Sequence, residues 1–269
     1  MARSAVATNP RTRRSLIRSG FERRIGVAAN LVDWWIGANR ASRRRLARFR
    51  DRHRGERCFV LGNGPSLNLV DLERLRGETT FGLNRIYLKF EEVGYETDYL
   101  VCINKHVLRQ FAADLRALKC IRFLAAGHDD LFQPLERLLM IPTLHAIGFA
   151  RNPTVRGVHE GGTVTFAALQ LAYFMGFAEV VLVGVDHRFH AAGLANQLVR
   201  ASDDDRDHFD PSYFGPGVTW QLPDLEASER SYRIAKAVFE ADGRRIIDAT
   251  VNGGPQVFTK ADLYQVLEA

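Results

Sequence analysis

The sequence predicts an α/β fold of Rossmann-like type: a mostly parallel sheet with helices on both faces, a lid segment and a basic N-terminal helical arm. Three observations predict it. From Arg57 onward, short apolar runs alternate with helical patterns, as successive βαβ units require. Glycines and asparagines follow directly after those runs, where an open parallel sheet binds its ligands. The composition is globular, with 269 residues, 46% of them hydrophobic, 22 Gly and 9 Pro, which excludes disordered, collagen-like and low-complexity chains.

The first element is the arm, residues 1–55. Residues 1–57 carry 16 Arg, no Lys and four acids, a balance of +12, so the remainder carries −6 within a total of +6. Basic arms meet phosphate, on an anionic membrane surface or on nucleic acid. The apolar stretch from Ile25 to Ala38, with Trp34 and Trp35, is interrupted by Asn30 and Asp33 and is shorter than the ~20 residues that span a bilayer. Arginines flanking a Trp-containing stretch suit an interfacial helix, because indole sits at headgroup level and guanidinium pairs with lipid phosphate. Packing on the body or on a partner subunit is the other reading, and nucleic acid is set aside. The arginines continue past the stretch without a cleavage site, so a signal peptide is not expected.

The body, residues 56–269, reads as one domain. Strands are expected at 57–61, 79–83, 98–103, 121–125, 143–147, 179–185 and 244–248, and helices at 71–76, 105–118, 130–139, 162–176, 224–242 and 259–268. Thr259 and Asp262 stand at capping-box-like spacing at the start of the last. The long irregular segment, about 188–222, is expected to act as a lid. Cys58, Cys102 and Cys120 are too scattered for a disulfide framework or a metal site, so buried thiols in a reducing, cytoplasmic setting are expected.

Four groups of residues carry candidate chemistry. Gly62-Asn63-Gly64 after the first strand lets backbone N–H groups approach a phosphate or ribose, and Ser66 follows it. It is neither a dinucleotide fingerprint nor a P-loop, since Leu67 stands where the third glycine would be and no Gly-Lys-Ser/Thr follows. Asn63, Asn84 and Asn104 each stand just past a strand and offer uncharged donors and acceptors for a sugar or nucleobase, or serve only as turn residues. Gly162 and Thr163 open a helix, either as an anion site or as a plain cap. Gly184, Asp186, His187 and Arg188 follow the sixth strand, and His190, Asp207, His208, Asp210 and Tyr213 lie in the lid. There imidazole serves as a general base, while Arg and Tyr stabilise a leaving phosphate. No metal site is expected, because no HExxH-like spacing occurs.

The segments CFVLGNGPSLNLVDL, FGLNRIYL, YLVCIN, GGTVTFAALQLAYFMGFAEVVLVGVDHRF and HFDPSYFG resemble the domain-of-unknown-function-115 group, often labelled 6-hydroxymethylpterin diphosphokinase-like. That group is similar to the bacterial sialyltransferases of glycosyltransferase family 42 and to the flagellin-modifying Maf proteins. The resemblance covers roughly residues 56–260. It implies that Gly62, Asn63, Gly64, Asn84, Asn104, Gly162, Thr163, Gly184 and Asp186 surround a CMP-sugar. The acceptor half departs from the sialyltransferase pattern: its two phosphate-holding tyrosines have no clear counterpart, Arg188 and Tyr213 standing nearest. For its catalytic histidine, His208 is the first candidate by position and His187 the second.

The reading is an inverting glycosyltransferase, passing a CMP-activated nonulosonate or related acid sugar to a surface glycan or lipid-linked precursor. No cofactor is expected to be required, the expected location is cytoplasmic and peripheral on the inner face of the membrane, and a second copy of the chain is among the partners considered. The alternative is ATP-dependent pyrophosphate transfer to 6-hydroxymethylpterin, for which Mg²⁺ needs carboxylates; Asp186, Asp203, Asp204 and Asp205 are offered. A non-catalytic nucleotide-binding module is the third.

Overall fold

The computed structural model describes residues 29, 31–37, 39–190, 193–202 and 205–269. Among the described residues twelve strands form: β1 (Arg57–Leu61), β2 (Thr80–Leu83), β3 (Tyr99–Cys102), β4 (Ile121–Ala125), β5 (Leu138–Ile141), β6 (Thr143–Leu144), β7 (Val158–His159), β8 (Glu179–Val183), β9 (Leu198–Arg200), β10 (Thr219–Gln221), β11 (Arg245–Asp248) and β12 (Thr259–Lys260). Eight of them build one sheet in the order β12-β11-β8-β1-β2-β3-β4-β5, every pair parallel. The chain winds outward from β1 to β5 and then returns to place β8 on the other flank of β1. Crevices at such a reversal are where open α/β sheets hold ligands.

The strands read as continuous apolar runs because both faces are covered. Along β1, Cys58 and Val60 enter one hydrophobic cluster while Phe59 and Leu61 enter the other. The helices are α1 (Arg40–Ala47), α2 (Phe90–Val93), α3 (Lys105–Gln110), α4 (Ala112–Ala117), α5 (Pro153–Arg156), α6 (Val164–Met175), α7 (Leu225–Ala241) and α8 (Leu263–Glu268). Every residue of α6 from Thr165 to Met175 is buried, as suits a helix apolar on all sides. Its single interior amide, Gln170, donates to the carbonyls of His159 and Phe166 and accepts from the N–H groups of Ala150 and His159, at 2.8 to 3.0 Å. A fully satisfied buried amide is stabilising; this one holds the 149–159 loop against the sheet.

Four expected elements differ. The helix expected at 130–139 contains Pro134, which supplies no N–H, and the run Leu138–Ile141 becomes β5, paired with β4. The strand expected at 143–147 follows Pro142 and shrinks to β6, which pairs only with β7 outside the main sheet. The helix at 105–118 breaks at Phe111, where the backbone leaves helical geometry. At the C-terminus, Thr259–Lys260 adds β12 beside β11, and Asp262 is itself the cap of α8, accepting from Tyr264 and Gln265.

The described part of the arm is built into the body. Trp34 is fully buried and donates from Nε1 to the Thr154 carbonyl at 3.0 Å. Leu46 and Phe49 belong to the core cluster of α6. α1 covers the edge strand β5, with the Met140 N–H donating to Ser42 Oγ at 2.9 Å; covered edges do not recruit further strands. For residues 34–55 the packing alternative is therefore what the structure shows. Residues 1–28 lie outside the described residues, and among the described ones no helix is long and apolar enough to cross a membrane. The three cysteines are buried and unpaired, and burial pushes the thiols of Cys102 and Cys120 up to about 12, which makes them inert.

Candidate active site

A cavity of about 810 Å³ opens at the carboxyl ends of β1, β2, β3, β4 and β8, under the segment 188–222. That size suits a nucleotide-sized ligand. Gly62, Asn63, Gly64, Asn84, Asn104, Gly162, Thr163, Gly184, Asp186, His187, Arg188, His208 and Tyr213 all line it. Ser66 does not.

The floor is the Gly62-Asn63-Gly64 turn. A side chain at Gly64 would put its Cβ 1.8 Å from Asp186 Oδ2, and one at Gly62 would meet the Gly184 carbonyl at 2.2 Å. Only glycine admits so close an approach. Asp186 is held by Ser66, whose Oγ donates to Oδ2 at 2.6 Å and whose N–H donates to Oδ1 at 3.3 Å. Asp186 and Ser66 thus brace the turn against β8, a positioning task.

The three asparagines do different things. The Oδ1 atoms of Asn63 and Asn84 are buried without partners, and Asn84 holds a left-handed backbone, φ 45°, which asparagine tolerates better than most residues. A buried amide without partners costs free energy until a ligand supplies them. Asn104 instead caps α3, accepting from the N–H groups of His106 at 2.9 Å and Val107 at 3.4 Å. Thr163 caps α6 through the Thr165 N–H, and the Gly162 carbonyl accepts from Ser228 Oγ at 3.2 Å.

Over the cavity, His208 Nδ1 donates to Asp205 Oδ2 at 2.8 Å, while its Nε2 has no partner among the described residues. A carboxylate on Nδ1 fixes the tautomer that leaves Nε2 as proton acceptor. Burial works against the Asp205 carboxylate, but bonds from His208 and from the N–H groups of Asp207 and Phe214 outweigh it and hold its pKa below the ordinary value. Tyr213 stacks under the imidazole, ring centroids 3.9 Å apart and 3° from parallel. Its phenol is buried, which pushes its pKa up, and its oxygen accepts from the Arg85 N–H. Tyr213 thus lines the cavity and packs against His208.

The remaining candidates separate. His187 has φ 55°; its ring packs edge-on against Tyr232 and stands 3.8 Å from Glu229. Burial lowers its pKa, against the opposing pull of Glu229 and Asp248. Arg188 donates to the Asn252 carbonyl. His190 is exposed, pairs with Asp207 and lies outside the cavity lining. For Mg²⁺, Asp186 is occupied by Ser66 and Asp205 by His208, Asp203 and Asp204 lie outside the described residues, and no group of three or more His, Cys, Asp or Glu gathers among the described ones.

Sequence reasoning gave Lys105, just past the third strand, no role and missed His128 and the pairing of Asp205 with His208. Asp205 was offered only as a metal carboxylate, although its i,i+3 spacing to His208 is a signal for pairing. Lys105 and His128 follow strand ends as the asparagines do and also line the cavity.

The sequence matches the family described as 6-hydroxymethylpterin diphosphokinase MptE-like over residues 38–191, more than half of the chain. The chain belongs to this family. The MptE-like span takes in the Gly62-Asn63-Gly64 turn, the three asparagines, Thr163, Asp186 and His187; the His208–Asp205 pair and Tyr213 lie beyond it. No curated protein matches the sequence. Among solved structures, this MptE-like chain is similar to a MAf glycosyltransferase from Magnetospirillum magneticum AMB-1, at 16% identity and TM-score 0.49, over 84% of this chain and 38% of that one. It thus spans well under half the length of that protein.

Proposed function

We propose that the protein is an inverting glycosyltransferase that passes an acid sugar from CMP to a hydroxyl acceptor, a surface glycan or lipid-linked precursor. The observation that carries this reading is the His208–Asp205 pair, which offers an unpartnered Nε2 over a cavity whose floor presents the amides of Asn63 and Asn84. In the step proposed, Nε2 takes the acceptor proton as the hydroxyl oxygen bonds the anomeric carbon. The bond from that carbon to the phosphate oxygen breaks, its electron pair leaves with CMP, and a single displacement inverts the centre. Asp205 stabilises the imidazolium that forms, and Arg188 faces the departing phosphate. No resident cofactor enters this step.

Pyrophosphate transfer from ATP to 6-hydroxymethylpterin is the second reading, favoured by the family match. The same histidine would then deprotonate the pterin hydroxyl. Calorimetric titration with CMP, CMP-N-acetylneuraminate, and ATP with Mg²⁺ in the presence of 6-hydroxymethylpterin separates the readings. Binding of CMP and its sugar with release of CMP on transfer supports the first; tighter ATP binding with AMP release replaces it with the second. Nucleotide binding without any turnover leaves a binding module.

Trp35, Val32 and Ile36 are exposed beside Arg40, Arg43 and Arg44, with the Arg43 guanidinium 3.8 Å from the Trp35 ring centre. This mixture of indole, aliphatic and guanidinium groups supports attachment to the inner face of an anionic membrane.

A further inference from the structure

At the β4 and β5 end of the cavity, side chains from separate strand ends carry polar atoms without partners. Lys105 is exposed, lines the cavity and makes no ion pair or hydrogen bond among the described residues. Asn104 uses Oδ1 to cap α3, accepting from the N–H groups of His106 and Val107, and its Nδ2 has no partner among the described residues. His128, on the loop after β4, is only 9% exposed and lines the same cavity. Neither of its ring nitrogens is hydrogen-bonded among the described residues, and Nδ1 is wholly buried. An imidazole left so is destabilising unless something supplies the missing partner.

Lys105 is the cation that lines this end. The acid facing it, Glu160, is engaged by His145 at 2.7 Å and by the Thr143 hydroxyl. Burial, then the positive charges of Arg109 and Lys105, keep His128 below its ordinary pKa in spite of Asp129 and Asp130. His128 is thereby a neutral donor at neutral pH, and Lys105 supplies the charge.

We infer that this end of the cavity is an anion subsite in which Lys105, His128 and the Asn104 amide hold the carboxylate of the sugar being transferred. The inference rests on the donor reading above and deepens it by naming the residues that hold the carboxylate of its acid sugar and select for it. An ammonium makes short charge-assisted bonds to a carboxylate, whose two oxygens accept from several donors at once. A neutral hexose in the same place would forgo the charge-assisted contact with Lys105, and that difference is a source of selectivity.

The test is calorimetry on the full chain with CMP and with CMP-N-acetylneuraminate, for the wild type, Lys105→Gln and His128→Asn. The wild type should bind the CMP-sugar about tenfold or more tighter than CMP, the size of one charge-assisted contact. Lys105→Gln should erase that preference and leave CMP affinity unchanged. Because Lys105 is exposed, this variant keeps the fold and decides the matter even if His128→Asn proves unstable. Equal weakening of CMP and CMP-sugar would assign the lysine to the nucleotide phosphate and overturn the proposal. Unchanged donor affinity with a raised KM for the acceptor would assign the anion to the acceptor, and also overturn it. If the wild type binds CMP yet shows no preference for the sugar, the subsite falls while the nucleotide reading stands. If it binds neither, the donor reading itself falls and takes the subsite with it.

Discussion

The backbone N–H of Phe209 donates to the carbonyl of Asn63 at 2.9 Å, so the residue next to His208 is tied to the middle of the Gly62-Asn63-Gly64 turn. Asn68 adds a second tie, its Nδ2 donating to the Phe209 carbonyl at 2.7 Å. The segment that carries the proposed base is thereby anchored to the floor that faces the proposed donor. A ligand that shifts the turn shifts the histidine with it.

The base is tested by His208→Ala and Asp205→Asn. We expect His208→Ala to lower transfer by about 10²-fold or more with nucleotide affinity retained, as removal of a general base does. Asp205→Asn should lower it as well, because an amide no longer selects the tautomer that leaves Nε2 free. Single-turnover rates with saturating donor measure both. Full activity in His208→Ala would remove this residue from the chemistry.

Gly64→Ala tests the floor. The added methyl collides with Asp186 and must displace it from Ser66, so stability should fall by about 1–3 kcal/mol, as overpacking does. Nucleotide binding should weaken in parallel. Urea denaturation and CMP titration on the same sample check this, and an unperturbed variant would show that the contact is not tight.

Much of this was legible in the sequence. The alternation from Arg57 onward placed six of the eight sheet strands, and the residues after β1, β2, β3 and β8 do converge on one cavity. β5 was hidden because its run, Leu138–Ile141, is apolar throughout and follows residues with helical spacing; periodicity cannot tell a strand buried on both faces from a buried helix. Asn104 was grouped with Asn63 and Asn84 because all three follow strands, yet only at Asn104 does a helix begin at once and occupy the side-chain oxygen. Tyr213 reads from sequence as a polar lid residue, and only its stacking on His208 assigns it to the interior. Pairings between distant segments have no periodic signature.

Removal of the arm now has a divided outcome. Deleting residues 1–28 should leave the described body and its nucleotide binding unchanged. Deleting 1–50 also removes Ser42, Leu46 and Phe49 from the core, and the remaining protein should not fold stably. Trp34→Ala alone should cost about 3–5 kcal/mol, the range for a buried Trp. Ile36→Glu with Trp35→Ala, both at exposed positions, should reduce flotation with anionic liposomes and leave melting unchanged; retained flotation would remove this face from membrane contact.

Acid should destabilise the protein before its carboxylates titrate. Burial lowers the pKa of His106, His128 and His187 in the folded state. As pH falls through about 6.5, the unfolded chain takes up these protons before the folded one does. The unfolded state then binds more protons, so stability rises with pH over this window and is lost on acidification. Urea midpoints at pH 7.5 and 5.5 should show the lower value at 5.5, and the difference should shrink in His187→Asn. Equal midpoints would mean that the three imidazoles protonate as readily in the folded protein as in the unfolded chain.

The winding of the sheet has a consequence for biosynthesis. β1 meets β2 soon after both are made, but its other flank waits for β8, which is separated from it by β2 through β7. A nascent chain that has reached only β5 therefore presents the inner row of β1 backbone groups, from Arg57 to Leu61, to any strand that comes near. Translation speed between Ile141 and Glu179 thus governs how long that row stays unpaired. Yield on heterologous expression should respond to synonymous codon choice in this interval more than to choice after Val183.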